Sequence, residues 1–173
     1  MKSNGVLKGI TRITGKVKWT LHGPDGKIKQ EGENHNLVVT EGDNFIADQL
    51  ATTPAISQMG FMVLGTGYSA AAKGNVWVTT GYSGNSYALD ATYPKIKGSG
   101  TDAKIVQYQC TFEAAEATAN GIDEVIISNV TAEADGSHPA ASTILAYAQI
   151  TPEVNKGAAD TLVVLWEVTL LGA

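Results

Sequence analysis

The chain has 173 residues, which suffices for one domain with a hydrophobic core and is too short for two full domains. Hydrophobic residues make up 43% of it, charged residues only 17%, and 19 glycines favour short strands and tight turns over a helical bundle. The single cysteine, Cys110, excludes an internal disulfide, and we expect it to be a small buried hydrophobe.

The net charge of −5 is unevenly distributed along the sequence. Residues 1–30 hold seven basic residues against one acidic residue, so they carry +6 and the remaining 143 residues carry −11. A basic segment before an acidic body is typical of contact with nucleic acid or with an acidic protein, including a second copy of the chain. We favour a protein partner and expect no nucleic acid, because the basic residues are spaced apart and only one is arginine. No apolar run is long enough to cross a bilayer, and the N-terminus lacks the apolar core of a signal peptide, so no membrane contact is expected.

The first element is an extended arm, predicted for residues 1–14, which precedes a single β domain predicted for residues 15–173. Apolar and basic residues are scattered through the arm without sustained periodicity. We therefore expect it to dock on a neighbouring protein. The residues expected to dock are Lys2, Val6, Leu7, Lys8, Ile10, Arg12 and Ile13.

A β-hairpin follows the arm. Residues 16–21 alternate between polar and apolar residues and predict the first strand. Residues 23–26, Gly-Pro-Asp-Gly, predict the turn, and residues 27–31 predict the second, antiparallel strand. Residues 36–40 predict another short strand, and a helix is expected over residues 41–51 with Thr40 as its N-cap. Phe45, Ile46 and Leu50 would share one side of that helix. The apolar run at residues 59–64 has the length of a strand.

Residues 65–103 are rich in loop-forming residues, and only residues 76–80 predict a strand. This region holds five of the twelve aromatic residues of the chain, which are Tyr68, Trp77, Tyr82, Tyr87 and Tyr93. As a functional surface they could form a platform for sugar rings. As structure they could form a subunit interface or pack within the loops, and we favour these structural interpretations.

The remaining sequence is regular. It predicts strands over residues 106–112, 122–127, 144–150 and 161–170, and a helical turn over residues 114–120 closed by Gly121. The last strand is the most apolar, so we expect it inside a sheet. The pattern as a whole predicts a mainly β fold, an antiparallel β-sandwich or jelly roll with one short helix.

No motif in the sequence predicts catalysis. Residues 9–17 resemble a phosphate loop, but the glycine spacing is too long by one residue and a strand follows where a helix is needed. The three histidines, His22, His35 and His138, lie far apart in the sequence beside turns and predict surface imidazoles. The carboxylates of Glu113, Glu116, Asp123 and Glu124 are most simply explained as solvated turn residues. We therefore expect no enzymatic activity, no catalytic or metal-binding residues and no cofactor.

The order of five segments resembles small virion structural proteins of tailed bacteriophages. These segments are an Asn-led strand and helix, a Leu-Gly-Thr-Gly turn, a Phe-Glu-Ala-Ala-Glu-Ala stretch, a Gly-Ile-Asp-Glu sequence and a terminal Asp-Thr-Leu strand with a tryptophan. They occupy residues 36–50, 62–67, 110–117, 121–125 and 160–170. The pattern covers most of residues 36–170, whereas residues 65–103 follow no pattern of the family.

The resemblance implies a non-enzymatic virion component, assembled in the cytoplasm of a bacterial host. It implies a capsid cement or decoration protein, or a neck, tail or fibre-base protein, and the basic arm favours decoration of the head. Its partners would be itself, as a homotrimer, and other virion proteins such as the major capsid protein. Glycan recognition through the aromatic loops is the alternative from another functional class.

Overall fold

The computed structural model describes residues 13–170, and these form a mainly β structure. Its helices are one α-helix, α1 (Thr40–Gln49), and a single turn of 3-10 helix (Gly100–Lys104), counted over the described residues. The strands are β1 (Thr14–His22), β2 (Ile28–Val38), β3 (Phe61–Thr66), β4 (Ser86–Ala88), β5 (Lys95–Ile96), β6 (Ile105–Phe112), β7 (Ala119–Ser128), β8 (Ile144–Lys156) and β9 (Thr161–Thr169).

All nine strands belong to one curled antiparallel sheet with the order β4-β3-β7-β8-β2-β1-β9-β6-β5. Strand β2 joins the two halves, because its first part pairs with β1 and residues 36–38 pair with β8. The curl brings β4 back towards β6: just after β4, the Leu89 amide donates to the Gly60 carbonyl at 2.9 Å and the Asp90 amide to the Gln109 carbonyl at 2.8 Å. The predicted mainly β class is therefore confirmed.

Strands β1 and β2 form the predicted hairpin. The Gly26 amide donates to the Gly23 carbonyl at 2.9 Å, and Gly26 adopts a φ of 75°, which a glycine accommodates without strain. Polar and apolar residues alternate along β1, so that Val17, Trp19 and Leu21 are buried. Opposite Trp19 lies Gly32, where a Cβ would come within 2.5 Å of the indole ring.

The predicted terminal strand is confirmed as an interior strand, because β9 lies between β1 and β6. Its residues alternate, and those that face the core, Leu162, Val164, Trp166 and Val168, are at most 2% exposed. Cys110 of β6 is buried in the same core as predicted, and its thiol donates to the Ala88 carbonyl at 3.4 Å.

The strands β3, β7 and β8 are apolar on both faces because both faces are covered. Met62, Val125 and Ala146 face the main core. Val63, Ile126 and Tyr147 face the other side, where they form a second apolar cluster with Trp77 and Val78 from the loop-rich region. Burial on both faces explains the continuous apolar runs in these strands, which an exposed sheet face would interrupt with polar residues.

Helix α1 lies close to β8 through Gly42. A Cβ at Gly42 would approach the Leu145 carbonyl oxygen to 2.0 Å, and the Glu41 carboxylate accepts a hydrogen bond from the Ile144 amide at 3.1 Å. The helix begins at Thr40, so Thr40 is not the N-cap we predicted: Val39 holds that position, and no side chain caps it. The Glu41 side chain therefore joins the first turn of the helix to β8.

Three local predictions are wrong. Residues 76–80 form no ladder, and a single bridge joins Thr80 to Thr66. Residues 114–120 form no helical turn, since Ala115 and Ala117 have positive φ angles of 66° and 43°. Gly121, with a φ of 69°, lies at an irregularity inside β7 and not at a helix end. In each case the backbone conformation is set by contacts with other parts of the sheet and not by the local sequence pattern.

Candidate docking surface at the helix end of the sheet

Most of the predicted docking arm lies outside the described residues. Lys2, Val6, Leu7, Lys8, Ile10 and Arg12 belong to that part. Ile13 is described, is half-buried and packs against the main core, and β1 begins at Thr14. Ile13 and Thr14, the last two residues of the predicted arm, are thus in contact with the core or in a strand, and the rest of the arm lies outside the described residues.

The basic residues that follow the arm are paired with acidic residues of the same chain. Lys16 and Lys18 lie 3.4 and 3.2 Å from the carboxylate of Glu33 on the neighbouring strand β2. Lys29 lies 2.7 Å from the carboxylate of Asp160. The Lys18 and Lys16 ammonium groups hold the pKa of Glu33 below its usual value. Within the described part of the chain, the basic character of residues 1–30 is thus largely neutralised by neighbouring strands.

An apolar groove of about 410 Å³ lies between α1 and the strands β5, β6 and β9. Its α1 wall is built by the side predicted to be apolar, with Phe45, Ile46 and Leu50. The remaining lining residues are Gln49, Gln58, Pro94, Lys95, Ile96, Val106, Tyr108, Leu145, Val168 and Leu170. Two apolar side chains on its rim project into solvent, Leu50 with 85% exposure and Ile96 with 54%. Burial raises the pKa of Tyr108, on the floor, to about 12, so this phenol stays protonated at neutral pH.

Both ends of the described chain lie beside this groove. Leu170, the last described residue, lines it, and its amide donates to the Lys104 carbonyl at 2.8 Å. Thr14 pairs with Thr169 across β1 and β9, which places Ile13 about one strand spacing, ~5 Å, from Leu170. Ile13 and Leu170 both pack against the main core. The first and the last described residue therefore lie side by side, with Leu170 on the wall of the groove.

A second cavity of about 660 Å³ lies beside the same chain end. Ile13, Thr14 and Gly15 form part of its wall, and an ion pair of 2.6 Å between Lys73 and Asp43 closes its rim. The side-chain amide of Asn36 is buried there with no hydrogen-bond partner among the described residues.

The aromatic residues of the loop-rich region divide between separate places. Tyr68 and Trp77 belong to the second apolar cluster, where Tyr68 stacks on Tyr147 with ring centroids 5.7 Å apart. Trp77 is only 7% exposed, its indole N–H donates to the Gly136 carbonyl at 3.3 Å, and the ring of His138 stacks on it at 5.1 Å. A sugar platform needs an exposed ring, and the ring of Trp77 is covered.

The other three tyrosines are also half-buried. The Tyr82 hydroxyl donates to the Ala117 carbonyl at 3.4 Å, and Tyr87 makes an edge contact with Phe112 at 5.7 Å. Tyr93 lies elsewhere, with its hydroxyl 3.3 Å from the amide oxygen of Gln109 and the ammonium of Lys95 over its ring. The structure does not bring the five aromatic residues together on one surface. Their contacts are with the body itself, as the loop-packing interpretation expected.

A buried polar site that the sequence analysis missed ties the loop-rich region to the sheet. Glu124 of β7 is 0% exposed, so the prediction of a solvated turn is wrong for this residue. Its carboxylate accepts hydrogen bonds from the Tyr147 hydroxyl and from the amides of Thr79 and Thr80, the latter two at 2.7 and 3.2 Å. Gly65 leaves the room, since a Cβ there would lie 2.6 Å from Glu124 Oε1. A glutamate inside an otherwise apolar strand was the available signal.

Within residues 13–170, the carboxylates of Glu113, Glu116 and Asp123 do not converge on a site. The Glu116 carboxylate accepts a hydrogen bond from the Glu113 amide at 2.8 Å in a turn, and Asp123 accepts one from the Tyr68 amide at 3.0 Å. Over residues 13–170, no three histidine, cysteine or acidic side chains are grouped to hold a metal ion. No helix in that range has the length and apolar character required to cross a bilayer.

Comparison of the chain with models of protein families, with curated proteins and with solved structures found no match. Any functional conclusion therefore depends on the residues and their geometry alone.

Proposed function

We propose that this protein is a non-enzymatic structural component of a tailed-bacteriophage virion, a capsid cement or decoration protein. It assembles as a homotrimer and docks on the major capsid shell through its N-terminal segment. The observation that carries the proposal is the ordered set of five family-like segments. These segments supply the end of β2 with α1, strand β3, the end of β6, part of β7 and strand β9, which are the elements around the main core.

The placement of the chain ends supports the docking role. Ile13, which follows the segment with Lys2, Lys8 and Arg12 in the sequence, lies about one strand spacing from the groove residue Leu170. Of the basic residues in residues 1–30, Lys16, Lys18 and Lys29 are paired with Glu33 and Asp160, so we assign the contact with an acidic shell to Lys2, Lys8 and Arg12. We also propose that the two halves of the curled sheet face each other as a jelly-roll-like sandwich, a shape suited to a projecting body.

A neck, tail or fibre-base protein could have the same β body and the same basic N-terminal segment, so these features do not separate such positions from the capsid shell. The shell is favoured because capsid lattices present many copies of one acidic surface, where a weak electrostatic contact is repeated. Glycan binding is not favoured, since Trp77 is covered by His138.

A particle-binding experiment tests the proposal. Virions of the phage that encodes this chain, lacking its gene, are incubated with purified protein at low and at high salt, and bound protein is measured by sedimentation. We expect saturable binding to the capsid that weakens at high salt. The full-length variant Lys2→Glu/Lys8→Glu/Arg12→Glu should bind at least ~10-fold less, because three attractive charges become repulsive.

The matched control reverses charge on the body at three exposed lysines, Lys27→Glu/Lys95→Glu/Lys104→Glu, and should bind like the wild type. Binding by the segment variant equal to that of the control would refute docking through the N-terminal segment. Wild-type protein found only on tails would assign the neck or tail role instead. Light scattering of the free protein, with a trimer expected at both salt concentrations, tests the oligomeric state separately.

A further inference from the structure

Strand β5 forms one edge of the sheet, beside the groove. It is the last strand in the sheet order, so β6 is its one partner among the described residues. The Lys97 amide donates to the Ile105 carbonyl of β6 at 2.9 Å, and the backbone groups of successive residues point to opposite sides of a strand. The amide and the carbonyl of Ile96 therefore point away from β6. Backbone groups at such an edge are a template on which another chain can add a strand.

This edge is accessible from solvent. Residues 94–100 are all exposed, and Ile96 itself is 54% exposed. Across the groove, Leu50 of α1 is 85% exposed. Large apolar side chains that flank an apolar groove at this exposure are typical of a surface that a partner covers.

The two faces of β5 differ in chemistry. Ile96 lies opposite Val106, which packs against the main core, so the side chain of Ile96 is on the groove side of the sheet. Lys95 lies opposite Gln107 and points to the other side, since neighbouring residues of a strand face opposite ways. An added strand would therefore meet an apolar residue on the groove side and lysine on the outer side.

One of the two lysines beside Ile96 has no acidic partner in the described part of the chain. Lys97 lies 3.2 Å from the carboxylate of Glu167. The ammonium of Lys95 lies 4.3 Å from the centre of the Tyr93 ring, and it forms no ion pair with any described carboxylate. Lys95 is thus a cation at the sheet edge that an acidic partner would complement.

The lysines also decide which kind of strand fits. If two copies of β5 paired in antiparallel fashion about Ile96, Lys95 of each copy would lie opposite Lys97 of the other. Like charges directly opposite each other destabilise a sheet, so this edge disfavours a second copy of itself. A strand with acidic residues at those positions is attracted instead, and its alternate residues lie on the groove side beside Ile96.

We propose that β5 and the groove bind an extended segment of another protein in which acidic and apolar residues alternate. The segment adds a strand to β5. Its acidic side chains lie beside Lys95 and Lys97, and its apolar side chains lie on the groove between Ile96 and Leu50. This inference goes beyond the proposed function and does not depend on it, because the site is built from residues of the body and not from the N-terminal segment.

A labelled peptide with blocked ends, Glu-Leu-Glu-Val-Glu-Leu-Glu, is the probe. Fluorescence anisotropy with the full-length protein should show saturable binding. The same peptide with lysine in place of every glutamate should bind at least ~10-fold more weakly, because its charges repel Lys95 and Lys97. Absence of binding by the glutamate peptide, or equal binding by both peptides, would overturn the inference.

Two N-methylated versions of the glutamate peptide distinguish strand addition from simple charge attraction. One version carries the methyl groups on the glutamate amides, and the other carries them on the leucine and valine amides. Since only one of these two sets of amides can face β5, one version should lose at least ~10-fold in affinity while the other binds like the parent peptide. Equal affinities of the two versions would overturn strand addition.

Substitutions in the protein locate the site. Lys95→Glu should reverse the preference, so that the lysine peptide binds more tightly than the glutamate peptide, and Ile96→Asp should remove binding of the glutamate peptide. The matched controls are Lys27→Glu and Ile28→Asp, at an exposed lysine and at an isoleucine that is 56% exposed on the β1–β2 hairpin. Both controls should bind like the wild type. A Lys95→Glu protein that keeps the wild-type preference would refute the assigned contact.

The capsid assay keeps this inference apart from the proposed function, because Lys95→Glu is part of the control variant that should still bind capsids. Peptide binding by a wild type that does not bind capsids would refute the proposed function and support this inference. Capsid binding without peptide binding would refute this inference alone. A wild-type oligomer that Ile96→Asp dissociates, measured by light scattering, would assign the edge to a second copy and overturn the inference.

Discussion

Tyr147 of β8 donates a hydrogen bond to the buried carboxylate of Glu124 on the adjacent strand β7. The same carboxylate accepts the amides of Thr79 and Thr80, so one side chain joins two strands of the sheet to the segment that covers them. Burial in the first place, and then this hydrogen bond, raises the pKa of Tyr147. Glu124 therefore holds the loop-rich region against the outer face of the sheet.

Replacement of Glu124 by leucine should destabilise the protein by about 2–4 kcal/mol. The substitution leaves two amides and a hydroxyl without their acceptor in a buried place, and each such group costs about 1–3 kcal/mol, partly relieved by relaxation. Urea unfolding measures the change. Glu133→Gln, at an exposed turn position, should stay within about 0.5 kcal/mol of the wild type. Equal unfolding midpoints for Glu124→Leu and this control would contradict the structural role of Glu124.

Trp77→Ala should lower the free energy of unfolding of the protein, whether or not Trp77 also takes part in surface recognition. Trp77 is buried in the second apolar cluster, and truncating a buried tryptophan costs about 3–5 kcal/mol. Its neighbour Val76 is 44% exposed, so Val76→Ala is the control and should change stability little. Thermal unfolding and a glycan array are measured on the same samples. A stable Trp77→Ala protein that loses glycan binding shown by the wild type would restore the sugar-platform hypothesis.

Gly136 should tolerate no side chain. Its φ is 86°, and a Cβ would lie 2.3 Å from the Tyr82 amide nitrogen; a Cβ at the facing Gly81 would in turn lie 1.9 Å from the Gly136 carbonyl oxygen. Gly84 separates the two causes, because it has a φ of 74° and nothing within 4 Å of its would-be Cβ. We expect Gly84→Ala to cost about 1 kcal/mol and Gly136→Ala at least about 3 kcal/mol in urea unfolding. Similar losses of stability in the two variants would show that the positive φ alone, and not the close contact with Tyr82, limits side chains at Gly136.

Asp160 should make the protein sensitive to acid. The hydrogen bond from Lys29, ahead of that from the Gly157 amide, lowers the pKa of Asp160 below its ordinary value of 3.8. A lowered folded-state pKa gives stability that is present above the unfolded pKa and is lost as the pH falls below it. Between about pH 5 and pH 2 the wild type should therefore lose more stability than Asp160→Asn, measured by urea midpoints at each pH.

Asp102→Asn provides the control for acid sensitivity, because Asp102 lies in the 3-10 helix and has no ion pair among the described residues. It should retain the acid dependence of the wild type. A wild-type acid slope in Asp160→Asn would show that the Lys29 contact contributes nothing to stability.

Much of the sheet follows from local sequence patterns. The alternation in β1, β6 and β9 predicted their buried faces correctly, since side chains point to opposite sides of a strand with a period of two residues. The turn at residues 23–26 was predicted from its glycines for the same local reason. The apolar wall of α1 followed from the helical spacing of Phe45, Ile46 and Leu50.

Residues whose surroundings come from distant parts of the chain were predicted less well. Glutamate is a residue type usually found on the surface. Glu124 is buried only because residues 79–80 pack over it and donate their amides to its carboxylate. Trp77 lies in residues 76–80, which were predicted as a strand, and its burial in a loop requires the outer face of β3, β7 and β8. The helical turn at residues 114–120 failed because these residues meet the turn before β9, where the Ala115 amide donates to the Ala158 carbonyl.

The sequence by itself determined the mainly β class, the strand faces, the hairpin and the apolar side of α1, because each of these depends on spacing over a few residues. Only the tertiary structure decided which charges of the described residues are paired and that Ile13 lies beside Leu170. The pairing of β1 with β2 brings Lys18 to Glu33. Lys29 reaches Asp160 although the two residues are 131 positions apart in the sequence. The net charge of a sequence segment is a sum over its residues and does not depend on such contacts. The charge that the folded surface presents to a partner does depend on them.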